Sequence, residues 1–251
     1  MRELLEAVAD GDLSPARAEA ELAGYVTGEA GRFDATRDRR RGIPEAILAD
    51  GKTPTQVAAL ATAALETTDR ALVTRADDGH VEALEARLTE RHPDATLERR
   101  GSTLVVRTPE YEVPTLEATV GLVTAGTVDG PVADEAQVVL ADAGAAIDRI
   151  EDVGVASLDR ILDQVGRLRE ADVLLVFAGR EGALPTVVAG LVDTPVIGVP
   201  VSSGYGHGGD GEAALAGMLQ SCTVLSVVNV DAGFVAGAQA ALIARAIDGS
   251  R

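Results

Sequence analysis

Four loop segments of the 251-residue sequence carry residue types suited to covalent, proton-transfer or phosphate chemistry. Cys222, the one cysteine, closes ALAGMLQSC and is followed at once by TVLSVVNV. A thiolate there would be a nucleophile, but a helix C-terminus does not lower a thiol pKa as an N-terminus does. On spacing alone a buried, inert thiol is the better reading. Glu181 follows an apolar strand in GREGALP (residues 179–185), where a carboxylate handles a proton, holds a metal, or simply favours a helix start. Thr127 and Asp129 stand in AGTVDGP (125–131), ahead of a helix whose first turn can bind an anion; Asp129 is alternatively only an N-cap. Residues 202–211 (SSGYGHGGDG), with Ser202, Ser203, Gly204 and Gly206, hold five glycines in ten, enough for a phosphate-binding nest or for a flexible surface loop. His207 in the same stretch is read as an exposed bystander.

The elements that must position these loops fall into two textures. Residues 1–115 read as a small α+β domain. Ser14 and Pro15 open a helix, residues 32–42 form a charged connector, and PEAILAD is a short strand. Thr53 caps PTQVAALATAALET, DRALVTRA is a strand, HVEALEARLTERH an amphipathic helix, and ATLERR pairs with TLVVRT across Gly101 and Ser102. From residue 116 to 251, near-continuous apolar strands alternate with helices, the pattern of a parallel sheet covered on both faces. In such α/β sheets ligands sit at the carboxyl ends of the strands, where the loops AGTVDG, DVGVAS, AGREGALP, VPVSSGYGHGGDG and NVDAGF gather.

The totals narrow the classes. A net charge of −18 excludes a generic nucleic-acid surface, no apolar run is long enough for a membrane span, and the N-terminus lacks a secretory pattern. A soluble, cytoplasmic protein without an internal disulfide is expected. Lys52 is the one lysine, every other side-chain cation in the Lys/Arg set being arginine; this acid-rich, lysine-poor balance suits a high-salt cytoplasm, although a high-GC composition produces a similar bias. From the residues alone the reading ends at a soluble α/β protein with a nucleotide-like phosphate site.

Several segments closely resemble the LarB family, which begins assembly of the nickel-pincer cofactor of lactate racemase. These are FDATRDRRRGIPEAILADGKT, LVTAGTVDGPVADEA, EDVGVASLDRIL, ADVLLVFAGREGALPTVVAGLVDTPVIGVPVSSGYG, LAGMLQSC and NVDAGF, in family order from about residue 33 to 235. The C-terminal half is also similar to the PurE fold, a flavodoxin-like three-layer αβα unit that assembles as an octamer. The resemblance implies an enzyme that carboxylates carbon 5 of the pyridinium ring of nicotinic acid adenine dinucleotide with carbon dioxide and hydrolyses the phosphoanhydride. Pyridinium-3,5-biscarboxylic acid mononucleotide and AMP are the products. It further implies magnesium, no biotin and no ATP, a homo-oligomer, and no nucleic-acid or membrane partner. QSC matches the family's cysteine motif, so Cys222 carries over as the nucleophile, which makes carbon 5 an enamine terminus by adding at carbon 6. Glu181 carries over as proton acceptor or metal ligand. Thr127, Asp129, Arg160, Ser202, Ser203, Gly204 and Gly206 match the ribose- and phosphate-side positions. Arg37, Arg41 and Lys52 sit in family motifs that could pair with phosphate or carboxylate groups, or be solvated cations on an acidic surface.

The sequence departs from the family pattern in places. VAGLHR reads VASLDR, so Ser157 and Asp159 replace a glycine and a histidine. GMEG reads GREG, GTSD reads GTVD with Val128, and NIDNGF reads NVDAGF with Ala232. Two other functions stay open: a PurE-type aminoimidazole ribonucleotide carboxylase or mutase, and a non-enzymatic nucleotide-binding regulatory subunit on the same scaffold.

Overall fold

The computed structural model describes residues 2–203 and 206–249. The chain divides into two compact units, Met1–Glu112 and Val113–Arg251. No helix among the described residues is long and apolar enough to cross a membrane.

The first unit begins with α1 (Arg2–Asp10) and α2 (Pro15–Ala23), the latter capped by Ser14, whose side chain accepts from the Arg17 N–H. A hairpin of β1 (Val26–Gly28) and β2 (Gly31–Phe33) follows, then α3 (Arg37–Arg41). The expected charged connector is therefore a strand and a helix. Phe33, Ala35 and Ile43 are buried and anchor it, while its arginines stay at the surface or pair with acids. Next come β3 (Ala46–Leu48), α4 (Pro54–Thr68), β4 (Arg70–Thr74), α5 (Asp78–Arg91), β5 (Thr96–Arg100) and β6 (Thr103–Arg107). The sheet order is β3-β4-β6-β5, with β3 parallel to β4 and the other pairs antiparallel. Thr53 starts α4 through a reciprocal capping box with Gln56, which satisfies two otherwise orphaned N–H groups. Val57, Ala61, Ala64 and Leu65 then pack onto the sheet with Val73, Leu84 and Leu104.

The second unit holds β7 (Thr119–Thr124), α6 (Gly130–Asp142), β8 (Ala146–Ile150), α7 (Leu158–Leu162), α8 (Val165–Glu170) and β9 (Val173–Ala178). It continues with α9 (Ala183–Ala189), β10 (Val196–Pro200), α10 (Glu212–Leu219), β11 (Ser226–Val227) and α11 (Gly233–Asp248). All five strands are parallel in the order β11-β10-β9-β7-β8, the flavodoxin-like arrangement. Every residue of β9 and β10 is buried, as a central parallel strand covered on both faces requires. Leu174, Val176 and Ala178 pack with Leu184, Val188, Ala214 and Met218, while α6 lies against α11.

Two elements depart from the simple alternation of strand and helix. Between β8 and β9 the helical stretch is broken into α7 and α8 at Gln164, whose backbone (φ −99°, ψ 0°) leaves the helical region. The last strand, β11, has only two paired residues. Beyond it the chain still follows β10, through Val228 N–H to Gly198 O and Asp231 N–H to Pro200 O, but as an edge it has no second neighbour to hold a regular ladder.

Candidate active site

In the second unit the chain leaves β7 for β8 on one side and β9 for β10 on the other. The loops after β7 and β9 diverge at this switch point and leave a crevice at the carboxyl edge of the sheet. A half-open cavity of about 880 Å³ occupies it, and its walls include Asp129, Gly154, Arg160, Arg180, Glu181 and Ser203.

Asp129 is the buried member of this group, 2% exposed at the end of a 3-10 turn (Thr127–Asp129). The turn folds back so that Asp129 Oδ2 accepts from the Gly126 N–H at 2.8 Å, and the Ser203 hydroxyl donates to Oδ1 at 3.4 Å. Burial pushes the Asp129 carboxyl up from the usual aspartate range, although bonds from Gly126, Ser203 and the backbone of Ala125 and Gly179 act in the other direction. Gly179 permits this approach: a Cβ there would stand 3.0 Å from Ser203 Oγ and 3.3 Å from Val201 O. Thr127 is exposed in the same turn.

Arg160 is oriented from below by three acceptors. Its guanidinium donates to Asp152 O and Oδ1, both at 3.0 Å, and to Gly154 O at 3.1 Å. Glu181 is exposed on the cavity wall, in the turn between β9 and α9. Ser202 is fixed through its backbone, whose N–H donates to Asp231 Oδ1 at 2.9 Å. Gly206 has φ +93° and does not line the cavity, and Gly204 lies outside the described residues.

The structure thus brings Asp129, Arg160, Glu181 and Ser203 to one cavity, but not Cys222. The thiol is exposed between α10 and β11, off the cavity wall. Its neighbours Ser221 and Thr223 bond hydroxyl to hydroxyl at 2.7 Å, which pins the turn that carries it. The buried thiol favoured on spacing alone is absent, because α10 ends at Leu219 before the chain regains the sheet. Arg37, Arg41 and Lys52 belong to the first unit. Arg37 pairs with Glu45 at 2.8 Å, Arg41 is exposed at the end of α3, and Lys52 Nζ donates to Leu48 O at 2.6 Å.

Sequence reasoning missed Arg180 and Asp231. Both are non-glycine residues at positive φ, 54° and 51°, a conformation that costs about 1–3 kcal/mol where surrounding structure imposes it. Their positions in the post-strand loops GREG and NVDAGF were the available signal. Asp159 is exposed on α7 and does not line the cavity. Among the described residues no three His, Cys, Asp or Glu side chains gather as a ready-made metal cage. Asp129 and Glu181 are the carboxylates that could share a magnesium ion with substrate phosphates and water, the usual manner of binding this ion.

Comparison with known proteins resolves the family. A family model described as AIR carboxylase matches residues 119–251, more than half the chain, and that of the LarB/PurE-like N-terminal domain matches residues 25–108. The chain is a LarB-family protein with a PurE-like carboxylase domain. The uncharacterized protein MJ0165 of Methanocaldococcus jannaschii is 36% identical over 254 residues, which span 98% of this chain and 97% of that protein. A crystal structure of a PurE2 variant from Treponema denticola aligns at 21% identity and a TM-score of 0.41, covering 53% of this chain and 80% of that one. Membership makes this LarB-family chain an enzyme of carboxylase type. Its cavity presents an oriented cation, a buried carboxylate with a raised pKa, and an exposed carboxylate.

Proposed function

We propose that this LarB-family enzyme carboxylates carbon 5 of the pyridinium ring of nicotinic acid adenine dinucleotide and hydrolyses the phosphoanhydride, giving pyridinium-3,5-biscarboxylic acid mononucleotide and AMP. The observation that carries this reading is the exposure of Cys222 in a chain of this family, since a cysteine used only for packing is normally buried. A pyridinium ring is too electron-poor to attack carbon dioxide. Addition of the Cys222 thiolate at carbon 6 forms a C–S bond and converts the ring to a dihydropyridine, in which carbon 5 is the nucleophilic end of an enamine. Carbon 5 then bonds to carbon dioxide. Loss of its proton to a base, with Glu181 as acceptor, and expulsion of the thiolate restore the aromatic ring. Water cleaves the phosphoanhydride in a separate step.

In this reading the carboxyl-edge cavity holds the ribose and phosphate side through Asp129, Arg160 and Ser203, with Thr127, Ser202 and Gly206 on the adjoining loops. Arg37, Arg41 and Lys52 answer further substrate anions. Magnesium, held by Asp129 or Glu181 together with phosphate oxygens, would neutralise charge on the phosphoanhydride. Because the thiol is off the wall of its own cavity, the reading includes a homo-oligomer, in which Cys222 serves the cavity of an adjoining copy.

Incubation of the protein with the dinucleotide and isotopically labelled carbon dioxide tests it. Mass spectrometry is expected to find AMP and a mononucleotide bearing one labelled carboxylate. An unchanged dinucleotide would overturn the reading. A second reading, aminoimidazole ribonucleotide carboxylation, is favoured by the family model over residues 119–251. It needs no thiol, so turnover of that ribonucleotide by Cys222→Ala would favour it.

A further inference from the structure

The first unit has a cavity of its own, about 770 Å³, between the end of α2, the β1–β2 hairpin and α3. Its location is electrostatically unusual. The chain carries 40 acids against 22 Lys and Arg, yet residues 32–41 contain five arginines and two aspartates. Two of these arginines are held in place on the cavity wall. Arg39 forms a two-point ion pair with Glu21, and Arg40 Nη2 lies 2.6 Å from each oxygen of Asp34 while its Nε donates to Thr36 Oγ1 at 3.2 Å. That leaves the Nη1 donors of Arg40 and the Nε–H of Arg39 outside those pairs.

Arg32 is held differently. Its guanidinium lies 4.9 Å over the centroid of the Tyr25 ring, and among the described residues no carboxylate pairs with it. Glu45, the third acid of the wall, pairs with Arg37 at 2.8 Å, so Arg32 keeps its positive charge on a flat, ring-backed surface. Tyr25 and Leu22, 36% and 49% exposed, add apolar wall beside it. A planar guanidinium stacked on an aromatic ring offers its outer face to another planar ring, and its edge to an anion. The donors left over on Arg39 and Arg40 are held in position by their pairs with Glu21 and Asp34, and a phosphate, with several acceptor oxygens, can take charge-assisted bonds from more than one of them.

We propose that this cavity is a binding site for a purine nucleoside monophosphate. The purine stacks on the Arg32–Tyr25 pair against Leu22, and the phosphate takes the donors of Arg39 and Arg40 that Glu21 and Asp34 leave unused. The site stands on this cavity alone and needs no pyridinium chemistry, although AMP would be a product at hand if the carboxylation reading holds.

Calorimetric titration of the full chain with AMP, at low salt and without dinucleotide, tests the site. Arg32→Ala and Tyr25→Ala are each expected to weaken AMP binding about tenfold or more, while Tyr25→Phe, which keeps the ring, binds as wild type does. Adenosine and ribose 5-phosphate, each lacking one half of the recognised chemistry, should bind more weakly than AMP. Arg169→Gln, at an exposed arginine of the other unit that lines neither cavity, should leave this titration unchanged. Folding of each variant is checked by its far-UV spectrum and melting point, and Arg32→Lys, which retains a charge but not the planar stack, provides a milder second variant that should also weaken binding. Wild-type affinity in both Arg32 variants and in Tyr25→Ala, or loss of binding in Arg169→Gln alone, would overturn the proposal. If AMP binds through Arg32 but the dinucleotide is not turned over, the carboxylation reading fails and this site remains.

Discussion

The Ser203 hydroxyl donates to the buried carboxylate of Asp129, joining the loop after β10 to the turn after β7. Asp129 receives this bond and backbone bonds from Gly126, Ala125 and Gly179 where water is lost, and burial still outweighs them, so its pKa is raised.

The sign of that shift makes a stability prediction. Unfolded, Asp129 loses its proton at about pH 3.9; folded, it does so at higher pH. Between those points the native state holds a proton that the unfolded state has lost, so stability falls as pH rises through the window and the penalty persists above it. Asp129→Asn keeps one oxygen to accept from the Gly126 N–H, turns the other position into an NH2 that can donate to the Ser203 hydroxyl oxygen, and removes the charge. It is expected to melt higher than wild type at pH 7.5, with the advantage vanishing below about pH 4, and to lose substrate binding in the cavity. Melting curves at the two pH values check this; a variant less stable at pH 7.5 would contradict it.

Cys222 makes the converse case. Its side chain is exposed and its flanking hydroxyls bond each other rather than the thiol, so Cys222→Ser should change unfolding free energy by no more than about 0.5 kcal/mol. The same change should abolish carboxylation. Iodoacetamide should modify the native wild-type protein as readily as the urea-unfolded one, by intact mass, which a thiol enclosed in a core would not allow.

Gly182 couples the Glu181 loop to α10. Its φ is +67°, and a Cβ there would lie 2.5 Å from Ala214 O. Gly182→Ala meets both the backbone penalty and the collision, and should cost about 1–3 kcal/mol in urea unfolding. Because relief requires the turn between β9 and α9 to move, loss of ligand affinity in the 880 Å³ cavity should accompany it.

Much of this framework was legible in the residues because local signals and burial agree. The capping box at Thr53, the Ser14–Pro15 helix start and the apolar runs of β9 and β10 each point to the element that forms. The gathering of the post-strand loops at the carboxyl edge of the sheet followed from the alternation of strand and helix. Residues 32–42 were less legible: five arginines look like a solvated connector, and it takes the burial of Phe33, Ala35 and Ile43 to make the stretch a strand and a helix. The strained position of Arg180 is invisible to propensity, since nothing in an arginine favours positive φ, whereas an aspartate such as Asp231 enters that region more readily. The separation of Cys222 from the cavity was equally hidden. Spacing along the chain places a residue between two elements, but not on which wall of the unit the intervening turn ends.

The surplus of acids leads to a last prediction, that salt stabilises this protein. With a net charge of −18, the native state concentrates repulsion that the unfolded chain spreads over a larger volume. Added salt also weakens the attractive pairs, and many of these are open to solvent, such as Arg2–Glu6 and Arg167–Asp148. Exposed pairs of this kind contribute only about 0–1 kcal/mol each, so their loss is the smaller effect. The melting temperature should therefore rise with potassium chloride. The Debye length falls from about 10 Å at 0.1 M to about 3 Å at 1 M, so charge screening predicts that most of the gain comes below 1 M. A rise that begins only above that concentration would point to salting-out of apolar surface rather than screening. A melting temperature that falls from the first addition would show that the ion pairs, not the surplus acids, dominate the surface.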